Sequence, residues 1–319
     1  MRILVLSTAP REPDNSLLWE GLREMAEVEV HYYSKEQQKQ LGRLLDSFDF
    51  SVYDRVVCDL LFRYLVRQSR RLARVQGLVI YEEDACQEFI SGSKWRGRFS
   101  TFYRRLPHAR VIFTGYKVCQ KFAAMGVDAC FLPKGYDSSK LYDMQYPRDI
   151  KLGFIGRLGS DAYRERREFL ERATVEHGLQ VMRTEPGHAY REALNRIRVF
   201  VSADIGLGEY MAKNFEAMAC GCVLVAYRQG GGEEEALGFE HGRQVLLYRD
   251  YVEFSQLLDQ LARKPGLLDG LACEAKAFAR RRCDYAEQAS TILALLSPPP
   301  VPSVSKTPIL QRLSRLFIS

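Results

Sequence analysis

No run of apolar residues in this 319-residue chain approaches the ~18 that a membrane-spanning helix requires, so no spanning segment is expected. The opening stretch Met1–Pro10 has too short an apolar core for a secretory signal and reads as a first strand. Histidine is scarce at 5 residues, and the 8 cysteines form no Cys-x-x-Cys pair. Cys220 and Cys222 are too close together for a zinc knuckle and have no histidine near them, so no metal site is expected. Free, buried thiols in a reducing compartment are the simpler reading. Disorder and fibre classes are excluded by a composition of 46% apolar and 27% charged residues. What remains is a globular chain long enough for two domains of about 150 residues each.

The net charge is +6, and the excess is unevenly placed. Arg63, Arg67, Arg70, Arg71 and Arg74 form one cluster. Lys94, Arg96, Arg98, Arg104 and Arg105 form a second, with Trp95, Phe99, Phe102 and Tyr103 among them. Such a patch is either a solvated helix face or a surface for anionic lipid or phosphorylated substrate. Nucleic acid is not expected, because no reader motif accompanies the charge.

Strands are expected at residues 3–7, 28–33, 55–58, 77–81, 110–113 and 129–132, with helices at 16–25 and 116–125 and further helical segments in the gaps. A polar, turn-rich stretch from Pro133 to Asp149 marks a domain boundary. A second alternation follows. Strands are expected at 150–155, 178–183, 198–203, 223–226 and 244–248, and helices at 165–176, 188–197, 213–219, 252–262 and 267–282. Alternation on this scale implies parallel sheets with crossover helices, and both halves read as doubly wound. The division is 1–137 for the acceptor-side domain, 138–149 for a linker, 150–283 for the second domain and 284–297 for a last helix returning to the first. A Pro/Ser-rich tail, 298–319, has room for a short amphipathic helix that could lie on a membrane.

Two segments carry chemistry. In Lys151–Gly159, Gly156 follows a strand directly, and Arg157 then stands at the carboxyl edge of the sheet, where open α/β folds bind ligands. Its guanidinium can hold two phosphate oxygens, and Arg164 and Arg166 open the next helix. In Asp204–Cys222, the glycines Gly206 and Gly208 precede a helix whose first turns carry Lys213, Asn214 and Glu216. The amino end of such a helix offers unpaired N–H groups to an anion, and a carboxylate at Glu216 can accept two ribose hydroxyls. Phe215 falls within this candidate binding segment, although its ring and Met218 are expected to face the core.

The run Asn214–Gly221 resembles the helix signature of the glycosyl transferases group 1 superfamily, whose members adopt the GT-B fold. Phe131–Asp137 is similar to that family's interdomain segment, and Phe154–Arg157 to the first strand and turn of its donor domain. Tyr163–Leu170 and Ala193–Ser202 look like the CgeB-like branch. The resemblance spans roughly Phe113 to Leu296. It implies two Rossmann-like domains facing across a cleft, with Arg157 on the diphosphate, Glu216 on the ribose, and Lys213 and Asn214 near the diphosphate or sugar. Arg164 or Arg166 would be the second basic group. The family's upstream glutamate falls on Gly208 here, with Glu209 displaced by one position, so Glu209 is the candidate for that role and the stereochemical outcome stays open.

In the first domain, Glu82, Glu83 or Asp84 can position or deprotonate an acceptor hydroxyl, Asp84 being preferred; His108 is the weaker candidate. The expected activity is metal-independent transfer of a sugar from a nucleoside-diphosphate donor to a hydroxyl. The donor would be a UDP-sugar or else a GDP-sugar, with no further cofactor. A glycan or lipid-linked acceptor is expected, in lipopolysaccharide or other surface-glycan synthesis. The expected location is cytoplasmic, with peripheral contact at the inner face of the cell membrane; the oligomeric state is left open. The alternatives are a sugar-nucleotide epimerase and a non-catalytic binding or assembly protein on the same fold.

Overall fold

The computed structural model describes residues 1–11, 14–159 and 164–298. Tyr163 and the tail beyond Pro298, with its expected amphipathic helix, lie outside them.

The first half contains β1 (Arg2–Thr8), α1 (Ser16–Arg23), β2 (Glu27–Tyr33), β3 (Arg55–Asp59), β4 (Leu78–Glu82), β5 (Arg110–Phe113) and β6 (Asp128–Phe131). Short helices α2 (Lys35–Gln38), α3 (Leu41–Asp46), α4 (Phe62–Leu65), α5 (Ser69–Leu72) and α6 (Arg98–Tyr103) fill the crossovers, and α7 (Tyr116–Ala124) joins β5 to β6. All strands pair in parallel, in the order β2-β1-β3-β4-β5-β6. A parallel sheet is covered on both faces, which is why Ile3, Leu4, Val5 and Leu6 form an unbroken apolar run and are all at most 1% exposed.

The second half contains β7 (Ile150–Ile155), α8 (Arg164–His177), β8 (Gln180–Met182), α9 (His188–Arg196), β9 (Ile197–Ser202), α10 (Ala212–Ala219), β10 (Val223–Tyr227), α11 (Glu233–Leu237) and β11 (Leu246–Tyr248). Helices α12 (Tyr251–Arg263), α13 (Leu267–Cys283) and α14 (Tyr285–Leu296) follow. This sheet is also parallel, in the order β11-β10-β9-β7-β8. Two apolar clusters flank it: one gathers Phe215, Phe239 and Phe278, the other Leu170, Val201 and Phe254.

The chain passes between the domains twice, and the two passages lie side by side. Tyr136 N–H donates to Cys283 O (2.9 Å) and Tyr285 N–H to Tyr136 O (3.0 Å). Gly135 lies under the Tyr285 ring; a Cβ there would stand 2.5 Å from Tyr285 Cε1 and 2.6 Å from Cys283 O, so the crossing admits no side chain. Helix α14 then buries Tyr285, Ala289, Ile292 and Leu296 with Ile3, Val5 and Leu18 of the first domain. Both sets of strands present their carboxyl ends to the region between the domains, where open α/β sheets bind ligands.

The basic segments come together because Phe62 of α4 stacks on Phe99 of α6 at 3.7 Å and meets Trp95 edge-on at 5.4 Å. All ten cations are exposed. Arg71 pairs with Asp46 at 2.8 Å, and none of the other nine has a carboxylate partner among the described residues. The aromatic part of the expected patch is corrected: Phe99, Phe102 and Tyr103 are core residues, at most 3% exposed, and only Trp95 is half-buried.

Candidate active site between the two domains

The second domain's site is built around one acid that the sequence reading left without a role. Asp204 lies two residues beyond the end of β9 and is 4% exposed. Its Oδ2 accepts from Met211 N–H (3.0 Å), Asn214 Nδ2 (2.7 Å) and Ser202 Oγ (3.1 Å), and its Oδ1 from Arg166 Nη2 (2.7 Å). Arg166 also donates to Ala203 O (2.8 Å). The start of α8, the end of β9 and the amino end of α10 are thereby tied into one unit. Gln229 extends it: its side chain donates to Asp204 O (2.9 Å) and accepts from Gly208 N–H (2.9 Å). Gly208 has φ +74°, a conformation that favours glycine, so a glutamate there would be strained.

On this frame Lys213 reaches back to the edge of β7, and its Nζ donates to Ile155 O (2.9 Å). A Cβ on Gly156 would lie 3.4 Å from that Nζ and 2.6 Å from the Phe154 ring, so glycine keeps the approach open. Arg157 follows immediately and is exposed. Glu216 lies one turn beyond Lys213 on α10, the spacing at which helix side chains are neighbours. Burial lowers the Lys213 ammonium's affinity for its proton, Glu216 counteracts this, and Arg166 and Arg157 add to the lowering. Lys213 therefore feels the charges of both Arg157 and Glu216.

Gly156, Arg157, Lys213 and Glu216 thus meet at one edge of the sheet, while Gly208 is held by Gln229. Four other candidates are placed otherwise. Phe215 is 1% exposed in the apolar cluster with Phe239, so its place in the binding set is corrected: it anchors α10 and does not face the site. Arg166 and Asn214 are turned inward onto Asp204. Arg164 is exposed at the start of α8.

Glu209 lies in the seam between the domains, 1% exposed. Its Oε2 accepts from Lys134 Nζ (2.6 Å) and Thr114 Oγ1 (3.2 Å), and its buried Oε1 has no hydrogen-bond partner. Gly115 makes this approach possible, since a Cβ there would stand 2.5 Å from Glu209 Cβ. Nearby, Glu233 accepts from the backbone N–H of Lys117 (2.8 Å) at the start of α7, and Lys117 Nζ donates to Gln229 O (2.7 Å). Burial pushes the Glu233 carboxyl up to about 8.

The first domain offers a cluster that the sequence reading found only in part. Asp59, at the end of β3, accepts from Ser7 Oγ (2.7 Å), Trp19 Nε1 (3.0 Å) and Arg11 Nη1 (2.6 Å). Arg11 also pairs with Glu83, whose second oxygen is buried without a partner. Asp84 is exposed at the start of the next turn, and its N–H donates to Glu82 Oε1 (2.9 Å). Burial, with the Asp84 charge second, pushes the Glu82 carboxyl up to about 8. The role of Asp59 was legible only as an acid closing a buried strand. His108 instead meets Val75 O at 3.1 Å, on the far side of β4 and β5 from their carboxyl ends. Among the described residues no group of three or more His, Cys, Asp or Glu side chains could hold a metal ion.

Residues 150–294 match the family described as glycosyl transferase-like. Comparison with curated proteins by sequence finds no match. Among solved structures, HepE of Anabaena in complex with UDP-glucose is 17% identical with a TM-score of 0.65, over 93% of this chain and 99% of that one. Sucrose-phosphate synthase from Thermosynechococcus elongatus is 13% identical with a TM-score of 0.63, over 92% and 98%. A glycosyltransferase from Rickettsia africae is 10% identical with a TM-score of 0.61, over 92% and 97%. At these identities the likeness is one of fold. The fold is GT-B, two parallel α/β domains joined by a doubled crossing, and the resemblance to the group 1 glycosyl transferases holds.

Proposed function

We propose that this chain, GT-B in fold and glycosyl transferase-like across its second domain, moves a sugar from a UDP-sugar to a hydroxyl acceptor. The observation that carries the reading is the position of Lys213, between the Gly156–Arg157 turn and the Glu216 carboxylate. Cations at one end and a carboxylate at the other suit a diphosphate joined to a pentose. Arg157 and Lys213 would oppose the negative charge that grows on the departing diphosphate, so no metal ion is required for that step. UDP is favoured as the nucleotide because HepE, which shares the fold, is described in complex with UDP and with UDP-glucose.

The acceptor hydroxyl would enter at the carboxyl edge of the first sheet. Asp84, exposed there, and Glu83, fixed by Arg11, are the carboxylates placed to position it or take its proton. The basic face of α4 to α6 suits an acceptor carried at an anionic membrane surface, as in lipopolysaccharide or other surface-glycan synthesis on the cytoplasmic side. One observation favours the non-catalytic alternative: Glu209, the candidate for the donor-sugar contact, is engaged by Lys134 in the seam.

The test is a thermal-shift and calorimetric screen with uridine, guanosine, adenosine and thymidine diphosphates, followed by turnover assays with the matching sugar donors. Selective binding of one diphosphate, lost in Glu216→Gln, is expected. No binding by any of them would remove the reading. Tight binding without turnover across a donor and acceptor panel would support the non-catalytic one.

A further inference from the structure

Glu216 is 4% exposed, and its carboxylate is bonded by a phenol. Tyr190 lies in the first turn of α9, and its hydroxyl donates to Glu216 Oε2. The ring packs against the apolar cluster beneath β7 and β9, while the segment before it, Arg183 to Gly187, is largely exposed at the carboxyl end of β8. Gly156 N–H donates to Met182 O (3.2 Å), so the end of β8 and the Gly156 turn adjoin. Tyr190 therefore hangs from a segment that borders the Gly156 turn. Burial, and then the Glu216 charge, holds its hydroxyl protonated far above the ordinary tyrosine range. The phenol is a donor throughout the working pH range, and the bond has one direction.

A carboxylate offers about four lone-pair sites. A donor fixed on one of them sets the plane of the group and leaves capacity for two adjacent hydroxyls. A buried carboxylate with its donor removed either turns to another partner or takes up a proton, and both outcomes weaken its bond to an incoming hydroxyl.

We propose that Tyr190 is a positioning residue for the pentose: by fixing Glu216 it sets the discrimination between ribonucleoside and 2′-deoxyribonucleoside diphosphates. The inference rests on Glu216 meeting the pentose, as proposed above. It adds a role for a residue on a different helix, and it predicts that thymidine diphosphate, which lacks the 2′-hydroxyl, is excluded for that reason rather than by its base.

Calorimetric titration with uridine diphosphate and 2′-deoxyuridine diphosphate tests it, using the full chain, Tyr190→Phe and Glu216→Gln. Phenylalanine keeps the ring packing and removes only the hydroxyl. The native chain is expected to prefer the ribonucleotide at least about tenfold, the weight of one hydrogen bond to a charged group. In Tyr190→Phe the preference falls to about threefold or less, through weaker ribonucleotide binding with deoxyribonucleotide binding nearly unchanged. Glu216→Gln loses the preference too, and retention of one cooperative unfolding transition in both variants ties the losses to the bond. A hydroxyl that served only to hold the fold together would weaken both ligands equally. An unchanged preference in Tyr190→Phe, or tighter ribonucleotide binding there, overturns the proposal. Native protein that binds both ligands equally sinks this inference and leaves the nucleotide reading standing. Native protein that binds neither removes both.

Discussion

Asp204 accepts four hydrogen bonds from three separate segments, so its removal has two consequences that can be separated. Asp204→Ala removes a buried carboxylate that bonds the Arg166 guanidinium, and breaking a buried pair from one side costs about 3–5 kcal/mol. Urea unfolding is expected to show that loss, together with loss of nucleotide binding as the amino end of α10 is released. Arg157→Ala should differ in kind. The residue is exposed, so the unfolding midpoint stays put while diphosphate affinity falls about tenfold or more, the weight of one charge-assisted bond. Equal affinity in the variant would end the assigned role of Arg157. The contrast explains what the sequence made legible. Gly156, Arg157, Lys213 and Glu216 were readable because a strand end and a helix start fix which way short stretches point. Arg166 and Asn214 looked equally suitable but turn inward, because their direction is set by Asp204, which lies 38 residues from Arg166 in the chain.

At the scale of elements, helix α7 of the first domain is capped by a carboxylate of the second: Glu233 accepts the Lys117 N–H. Folding raises this carboxyl from an ordinary 4.5 to about 8, chiefly by burial, with Glu209 and Glu234 adding like charge and Lys134 opposing it. The folded state therefore holds a proton that the unfolded chain releases between about 4.5 and 8. The stability linked to this group is present at the acid end of that window and lost as pH rises through it. Glu233→Gln keeps an acceptor oxygen for Lys117 and removes the titration. The native unfolding midpoint, measured relative to this variant, is expected to fall as pH rises across the window and to level off above it. A constant difference would show that Glu233 does not titrate there. Glu82 titrates similarly in both proteins and cancels from the comparison. Element positions themselves were largely legible. β7 runs from Ile150 to Ile155 as expected, because a strand covered on both faces is largely apolar, with Lys151 its one exposed residue. The four-residue helices α2, α4 and α5 were not, since so short a helix completes too little of the 3.6-residue period to leave a pattern.

For the whole molecule, two surfaces matter: the outer face that would meet a membrane and the inner seam that holds the domains together. On the outer face, replacing Arg63, Arg67, Arg70 and Arg74 by serine removes four exposed cations that lack carboxylate partners. Binding to vesicles containing anionic phospholipid is expected to fall steeply, and native binding to weaken with added salt, with nucleotide affinity unchanged. Native binding that is equal on neutral vesicles would remove the electrostatic explanation. In the seam, the tie is a buried ion pair, Lys134 with Glu209, whose side chains are 6% and 2% exposed. Removing one partner strands the other. Lys134→Met leaves a buried carboxylate facing Thr114 and is expected to cost about 3–5 kcal/mol. The double variant Lys134→Met with Glu209→Gln removes both charges and should recover most of that loss, because a buried pair adds little beyond repaying its own desolvation. If the pair also sets the distance between the domains, the single variant should be more expanded than the native chain in small-angle scattering and the double variant less so. Recovery of stability without recovery of compactness would mean that the charge pair, and not merely the absence of a stranded charge, holds the cleft closed. The Lys117 contacts with Glu233 and Gln229 would then be too weak to close it alone.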